Sequence, residues 1–351
     1  MKSSIYQVFL KNPNSSSTIM ELTLVDGSIE YNYNASVKTS GQMTLLMDSD
    51  SSYLKNLTKY DIQLERLDVD GANTLIGSFI PIITEIKEVQ YPLNSSLVKI
   101  SFYEYSYILS VNEMPNNRTI NTNTISTELN RILGYYQVSS RSLSLTCPDQ
   151  VIIDRVRTVS WEVGENALTV FNRILSANAL ESLRSLGSSK LYTSRYIAPQ
   201  NKNPVITAGG INEWLIDGTY MIGLDGLNPT QIRGFTKDLN QGSNNNQVPK
   251  ILTSASSSAS SAANLGFRII KCYTGIEEEN QTGLDSYVSA RMREYENSAS
   301  QQGVSFSILY HNDVSIGSVI ETAIGNVLVT SLSTSLTPGD PPVMSIKAHT
   351  I

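Results

Sequence analysis

Histidines, cysteines and paired carboxylates carry most protein chemistry, and this chain holds few of them in workable patterns. Its only histidines are His311 and His349. Neither belongs to an HExxH, a His–Cys cluster or an EF-hand loop, so no transition-metal or calcium site is expected. His311 stands beside Asn312-Asp313 and reads as a turn residue, while His349 lies close to Ile351 and reads as solvated. The two cysteines, Cys147 and Cys272, are far apart and outside any CxxC, so they read as buried or inert thiols. There is no GxSxG, P-loop or GxGxxG, and Gly209-Gly210 is a plain turn. Carboxylates remain, because glycoside hydrolysis needs just a pair placed by the fold. Glu162 and Glu165 beside a helix, and Asp61, Glu65, Asp68 and Asp70 along an early strand and turn, are the candidates. Glu277-Glu278-Glu279 reads as a solvated turn. Nothing ranks one pair above another, so no catalytic, cofactor-binding or metal-ligating residue is assigned, no cofactor is expected, and the chain does not read as an enzyme.

The elements that would position such groups are mostly strands. The clearest exception runs from Trp161 to Asn178, where Leu168, Phe171, Ile174 and Leu175 recur at helical spacing and Gly164 and Asn166 offer a start. Before it, residues 5–10, 19–24, 29–37, 43–47, 60–69, 75–83, 84–89 and 97–109 read as short strands separated by turns such as Asp26-Gly27 and Asp70-Gly71. Pro81 suggests an edge or a bulge. Regular strand–turn spacing without helices points to a barrel or sandwich over residues 1–110.

The texture changes at Asn112. Ile125, Leu129, Ile132 and Leu133 predict a short helix over 124–134. A polar extended stretch (135–145), a strand at Val151–Ile153 and the 161–178 helix then complete a small α+β middle domain, residues 111–200. From Val205 strands return, up to 343–346, and residues 201–351 form a second β domain. A helix is inserted at 284–302, marked by Leu284, Tyr287, Val288, Met292 and Tyr295. Residues 253–264, all small or polar, predict a flexible surface loop joining two strands, or failing that an interdomain linker.

Composition adds constraints. The chain has 351 residues, 17% charged, with 18 Tyr and a formal net charge of −6. The low charge fraction leaves the surface to Ser, Thr, Asn and Gln, as in chains that meet other subunits. The acidic balance argues against wrapping nucleic acid but allows DNA to slide past. No run approaches the ~18 apolar residues of a membrane span, and no signal peptide is visible.

Several segments, in order, resemble hub proteins of tailed-bacteriophage tails. These are "EYNYNASVKTSGQMTLLMD" (30–48), "YDIQLERL" and "LIGSFIP" (75–81) near the N-terminus, and "SWEVGENALTVFNRILSAN" in the middle. "QVPKILTSASSSASSAANLGFRI", "LDSYVSARMREYE", "IGSVIE" and "LVTSLSTSLTPGDPPVMSIKA" follow. The resemblance implies a mainly β chain with a small α+β middle domain and two tail-tube-like β-barrels. It implies a homotrimer at the distal end of the tail, joining a six-fold tube or distal tail protein to a three-fold spike or fibre. Genomic DNA would pass through its channel without specific binding, and the protein would belong to the virion tail after assembly in the host cytoplasm. A peptidoglycan-cutting domain often follows such a hub and is not expected before Ile351. A β-rich surface adhesin and a carbohydrate-active hydrolase are the competing readings.

Overall fold

The structure is a computed structural model. It describes residues 5–13, 15, 17–48, 52–67, 73–89, 95–120, 122–138, 141–156, 158–185, 190–207, 210–211, 215–219, 230–236, 251–257, 268–276, 280–299, 303–339 and 343–351. Asp68, Asp70, the 277–279 acidic run, the Gly209 position and residues 258–264 lie outside this set.

Six strands come first: β1 Ile5–Lys11, β2 Thr18–Asn32, β3 Thr39–Asp48, β4 Asp61–Leu67, β5 Asn73–Val89 and β6 Ser95–Tyr103. All their pairings are antiparallel, in the order β1-β4-β5-β6-β3-β2, and β2 pairs back onto β1 through Val8↔Leu22 to Lys11↔Thr18. The hydrogen-bonded ring therefore closes, which removes the free edges that a sheet otherwise exposes. Alternation fixes its inside. Tyr6, Val8 and Leu10 of β1, and Val98, Ile100 and Phe102 of β6, are buried, as are Leu45, Met47, Ile62 and Leu64 from neighbouring strands.

Two turn-like signals become irregularities within longer strands. Asp26-Gly27 does not end a strand; β2 runs through it with a register shift between Leu24 and Asp26. A β-bulge is the reason the glycine is there, because a Cβ on Gly27 would lie 2.8 Å from the Gln42 carbonyl oxygen. The expected strands 75–83 and 84–89 are likewise one strand, β5. Its first half pairs with β4 as far as Phe79, and its second half pairs with β6 from Ile80 onward. Pro81 falls just beyond the β4 pairing, where its missing N–H costs no ladder bond on that side.

The middle region follows with α1 Tyr107–Ser110, β7 Arg118–Ile120, α2 Ile125–Tyr136, β8 Ser144–Thr146, α3 Gln150–Ile153, β9 Val159–Trp161, α4 Ala167–Ala177, β10 Arg184–Ser185 and β11 Lys190–Tyr192. The expected strand at 151–153 is a helical turn instead, because Asp149 caps it by accepting from the Ile152 N–H at 3.2 Å. Residues 107–109, expected as strand, likewise turn into α1. The buried faces of α2 (Ile125, Leu129, Ile132, Leu133) and α4 (Leu168, Phe171, Ile174, Leu175) join Tyr105, Leu109, Trp161 and Leu191 in one core. Asn166 starts α4 by accepting from the Thr169 N–H at 3.1 Å. The helix ends on Ala179 at φ 55°, with Leu180 N–H bonded to Leu175 O and Ala179 N–H to Ser176 O. That is a Schellman ending with an alanine where glycine is usual.

The remaining strands are β12 Pro204–Ile206, β13 Leu215–Thr219, β14 Gln231–Thr236, β15 Thr253–Ser257, β16 Ile270–Ile276, β17 Gly303–Leu309, β18 Val319–Thr322, β19 Gly325–Ser335 and β20 Val343–Thr350. β19 pairs with β2 through Ser331↔Asn32 to Ser335↔Ser28, and β20, β17 and β13 extend the same 12-stranded sheet. β18 pairs with β19 and with β12. The later strands thus continue the first sheet. The chain divides into two compact units, residues 1–219 with 305–348, and residues 220–304 with 349–351. In the second unit, β15-β14-β16 form a three-stranded sheet, and α5, Gln281–Ala299, packs Leu284, Val288 and Met292 on Ile232 and Ile276. The inserted helix thus belongs to an inserted sheet-and-helix unit. Residues 253–257, expected as loop, are strand β15, fixed by backbone pairing to β14 and by Ser254 Oγ donating to Asp285 at 2.6 Å.

Candidate functional site

The polar groups that are buried in the larger unit mostly satisfy one another. Asp61 opens β4 and is 5% exposed. It accepts from the Tyr105 hydroxyl and from Arg141 at 2.9 Å, and Arg141 also donates to the Tyr60 carbonyl at 3.0 Å. Burial pushes the Asp61 carboxyl up, and the Tyr105 and Arg141 contacts pull it back. This joint ties the strand ring to the middle region. Asp61 therefore works as a structural tie, and Glu65, further along β4, accepts from Gln63 beside it.

Two buried carboxylates do similar work. Glu104 is 1% exposed and accepts from Ser106 Oγ at 2.6 Å, Lys38 N–H at 3.0 Å and Ser185 N–H at 3.2 Å. Burial raises its pKa against those bonds. Glu128, also 1% exposed, forms a two-pronged pair with Arg118 at 2.7 and 3.2 Å and accepts from Asn123 at 2.6 Å. Burial works upward on Glu128, but the bonds from Arg118 and Asn123 and the charges of Arg118 and Arg131 outweigh it, so its carboxyl sits below the usual range.

The other sequence candidates disperse. Glu165 pairs with Arg173 at 2.8 Å and accepts from the Glu162 backbone N–H at 2.9 Å, so the two acids brace the entry to α4 and do not face a common substrate space. His311 Nδ1 accepts from Asp313 N–H at 3.2 Å, which is a turn contact. His349 lies within β20, half-buried, and not in a solvated tail. Cys147 is buried, with its thiol pushed up by burial, whereas Cys272 is exposed on β16, so of the two alternatives, buried or inert, burial does not hold for Cys272. Among the described residues no cluster of three or more His, Cys, Asp or Glu could hold a metal ion. No helix among them is long and apolar enough to cross a membrane.

One cleft in the larger unit, of about 220 Å³, gathers side chains that the sequence did not single out. Tyr33 and Lys38 come from the β2–β3 connection, Glu181 and Arg184 from the segment after α4, Arg195 and Lys202 from beyond β11, and Gly317 from the corner before β18. Gly317 takes φ +79°, and a Cβ there would lie 3.0 Å from the Tyr33 ring. Tyr33 OH donates to Glu181 at 3.1 Å, and Lys202 Nζ reaches the Gly317 carbonyl at 3.0 Å and Glu181 at 3.6 Å. Lys38 Nζ donates to the Tyr33 carbonyl. Burial lowers the Lys38 pKa, and the charges of Glu104 and Glu181 pull it back up. Among the described residues, Glu181 is the single carboxylate lining this cleft.

Of these residues, Glu104 and Glu128 could have been flagged. Glu104 continues the inward period of Val98, Ile100 and Phe102, and Glu128 falls three positions after Ile125 on the apolar face of α2. A charge on a core face predicts a buried partner. The cleft residues, drawn from four separate segments, leave no such local mark.

No protein-family model matches the chain. No curated protein sequence matches it either. Solved structures do. A tail protein from Neisseria meningitidis MC58 aligns over 98% of this chain and 96% of its own, with TM-score 0.65 and 10% identity. The 43 kDa tail protein of prophage MuSo2 from Shewanella oneidensis aligns over 97% and 98%, with TM-score 0.63 and 9% identity. Prophage tail protein gp18 from Listeria monocytogenes EGD-e aligns over 97% and 94%, with TM-score 0.51 and 12% identity. At such identities the likeness is one of fold, and along nearly its whole length this chain has the fold of those tail proteins.

Proposed function

We propose that the chain is a structural hub of a bacteriophage tail tip or baseplate. In this reading it forms a homotrimeric ring that joins the six-fold tail tube, or a distal tail protein, to a three-fold spike or fibre. It resides in the virion tail after assembly in the host cytoplasm. The observation that carries the proposal is the end-to-end fold correspondence with the Neisseria and Shewanella tail proteins. Two further features support it. A chain with 17% charged residues and 18 Tyr suits surfaces buried between subunits, since interface cores are depleted in charge and enriched in Tyr. A net charge of −6 suits a ring through which DNA passes without the counterion-release affinity of a basic wall.

The two-barrel layout belongs to the same reading. The closed ring β1–β6 is one barrel, and β12, β13 and β17–β20 supply the strands of the second. A hydrolase reading calls for carboxylates flanking a scissile bond, and the cleft described above has one. Labelling the chain with a small epitope tag and imaging purified tails tests the proposal. The label is expected at the distal end of each tail; label spread along the tube, or absent from tails, would overturn it.

A further inference from the structure

The cleft at Tyr33 has a charge balance opposite to that of the chain. Lys38, Arg184, Arg195 and Lys202 line it, and Glu181 is the one carboxylate among the described residues of its lining. The carboxylate behind it, Glu104, is already engaged by Lys38 N–H, Ser106 and Ser185 N–H. Counting both acids, four cations meet two anions here, in a chain whose net charge is −6. The cations are also unevenly used. Arg184 stacks over the Tyr192 ring at 4.9 Å, which leaves its guanidinium edge for hydrogen bonding. Arg195 is exposed and pairs with no carboxylate among the described residues. Lys202 meets Glu181 at 3.6 Å, longer than a charge-assisted hydrogen bond. Lys38 is 9% exposed, so one of the four charges is largely withdrawn from water.

We propose that this cleft binds a phosphate ester of a small polyol. Guanidinium and ammonium groups that line one cleft suit the oxygens of a phosphate, and arginine edges favour two-pronged contact with it. The Ser182 and Ser194 hydroxyls that also line the cleft match the hydroxyls of a polyol. The volume of about 220 Å³ equals roughly seven water-sized volumes at ~30 Å³ each, room for a phosphate carrying a three-carbon polyol. Gly317 keeps the wall open, since a side chain there would press on the Tyr33 ring.

The test is a calorimetric titration of the full chain with inorganic phosphate, glycerol 3-phosphate and a poly(glycerol phosphate) polymer. Arg195→Gln and Arg184→Gln are measured alongside, with thermal unfolding confirming that each variant folds. Saturable binding of glycerol 3-phosphate is expected, weakened at least about tenfold in Arg184→Gln and less in the exposed Arg195→Gln, because a charge-assisted hydrogen bond is lost. Tighter binding of the polymer, per phosphate, would identify a cell-surface polymer as the source; equal binding would identify a free ester. The proposal is overturned by a response that sodium chloride reproduces at matched ionic strength, by binding unchanged in both variants, or by binding of a polyglutamate peptide in place of the phosphate esters.

Discussion

Replacing Arg141 by methionine removes the cation from the Asp61–Tyr105–Arg141 joint while keeping an unbranched apolar stem in the same space. Asp61 then stays buried, 5% exposed, with the Tyr105 hydroxyl as its remaining side-chain partner. Breaking a buried ion pair from one side costs about 3–5 kcal/mol, since it leaves an uncompensated charge. Protonation of Asp61 limits that cost. Burial already holds its carboxyl above the ordinary value of 3.8, and loss of Arg141 raises it further. A raised folded-state pKa means that the folded protein binds the proton more tightly than the unfolded chain. The deficit is therefore largest at neutral pH and is relieved as pH falls toward 3.8. Arg141→Met is expected to lose about 3 kcal/mol near neutral pH and to lose less as pH falls toward 3.8, with a slope no steeper than about 1.4 kcal/mol per pH unit. Urea unfolding followed by tryptophan fluorescence, to which Trp161 of the middle core contributes, reads both values. The double variant Asp61→Asn/Arg141→Met should lose less than the sum of the single changes, with a coupling of about 0.5–3 kcal/mol. A loss within ~0.5 kcal/mol of wild type, typical of a surface change, or one that does not vary with pH, would refute the reasoning.

Glu128 should behave in the opposite sense. Its carboxyl is held below the usual 4.5, so its contribution is present above that pH and lost as pH falls through the lower folded value. Glu128→Gln should flatten the acid side of the stability–pH curve, and an unchanged acid limb would count against the Arg118 pair. Ala179→Gly should stabilise by about 0.5–1 kcal/mol, because glycine relieves the left-handed conformation at the end of α4; a fall in melting temperature would contradict that. Gly41→Ala, whose Cβ would collide with the Phe102 ring and the Ser28 carbonyl, should destabilise by about 1–3 kcal/mol or more in urea unfolding. In hydrogen exchange, the amides of 253–257 that pair with β14 should be protected in the free chain, and exchange at loop rates there would remove β15 from the account.

Much of the secondary structure was legible because it depends on local periodicity. Leu168, Phe171, Ile174 and Leu175 share a buried face as their spacing requires, and Asn166 caps where a start was expected. The helix expected over 124–134 is α2, Ile125–Tyr136. Failures came where tertiary pairing overrode a local signal. Asp26-Gly27 has turn chemistry, but β3 lies close enough to turn it into a bulge. Thr253–Ser257 buries little by itself and becomes a strand because β14 and Asp285 hold it. Val151–Ile153 has β-branched residues, but Asp149 offers a cap and the segment coils. The cleft was illegible for a different reason: Tyr33, Glu181, Lys202 and Gly317 meet through the fold alone.

The hub account turns on how many copies surround the tail axis. A cryo-electron microscopy reconstruction of the distal tail in purified particles, computed without imposed symmetry, measures this directly. The account predicts three copies of this chain in one ring, with the β1–β6 ring and the strands β12, β13 and β17–β20 alternating around the channel. Six copies per ring, or density for this chain lying off the axis, would contradict it.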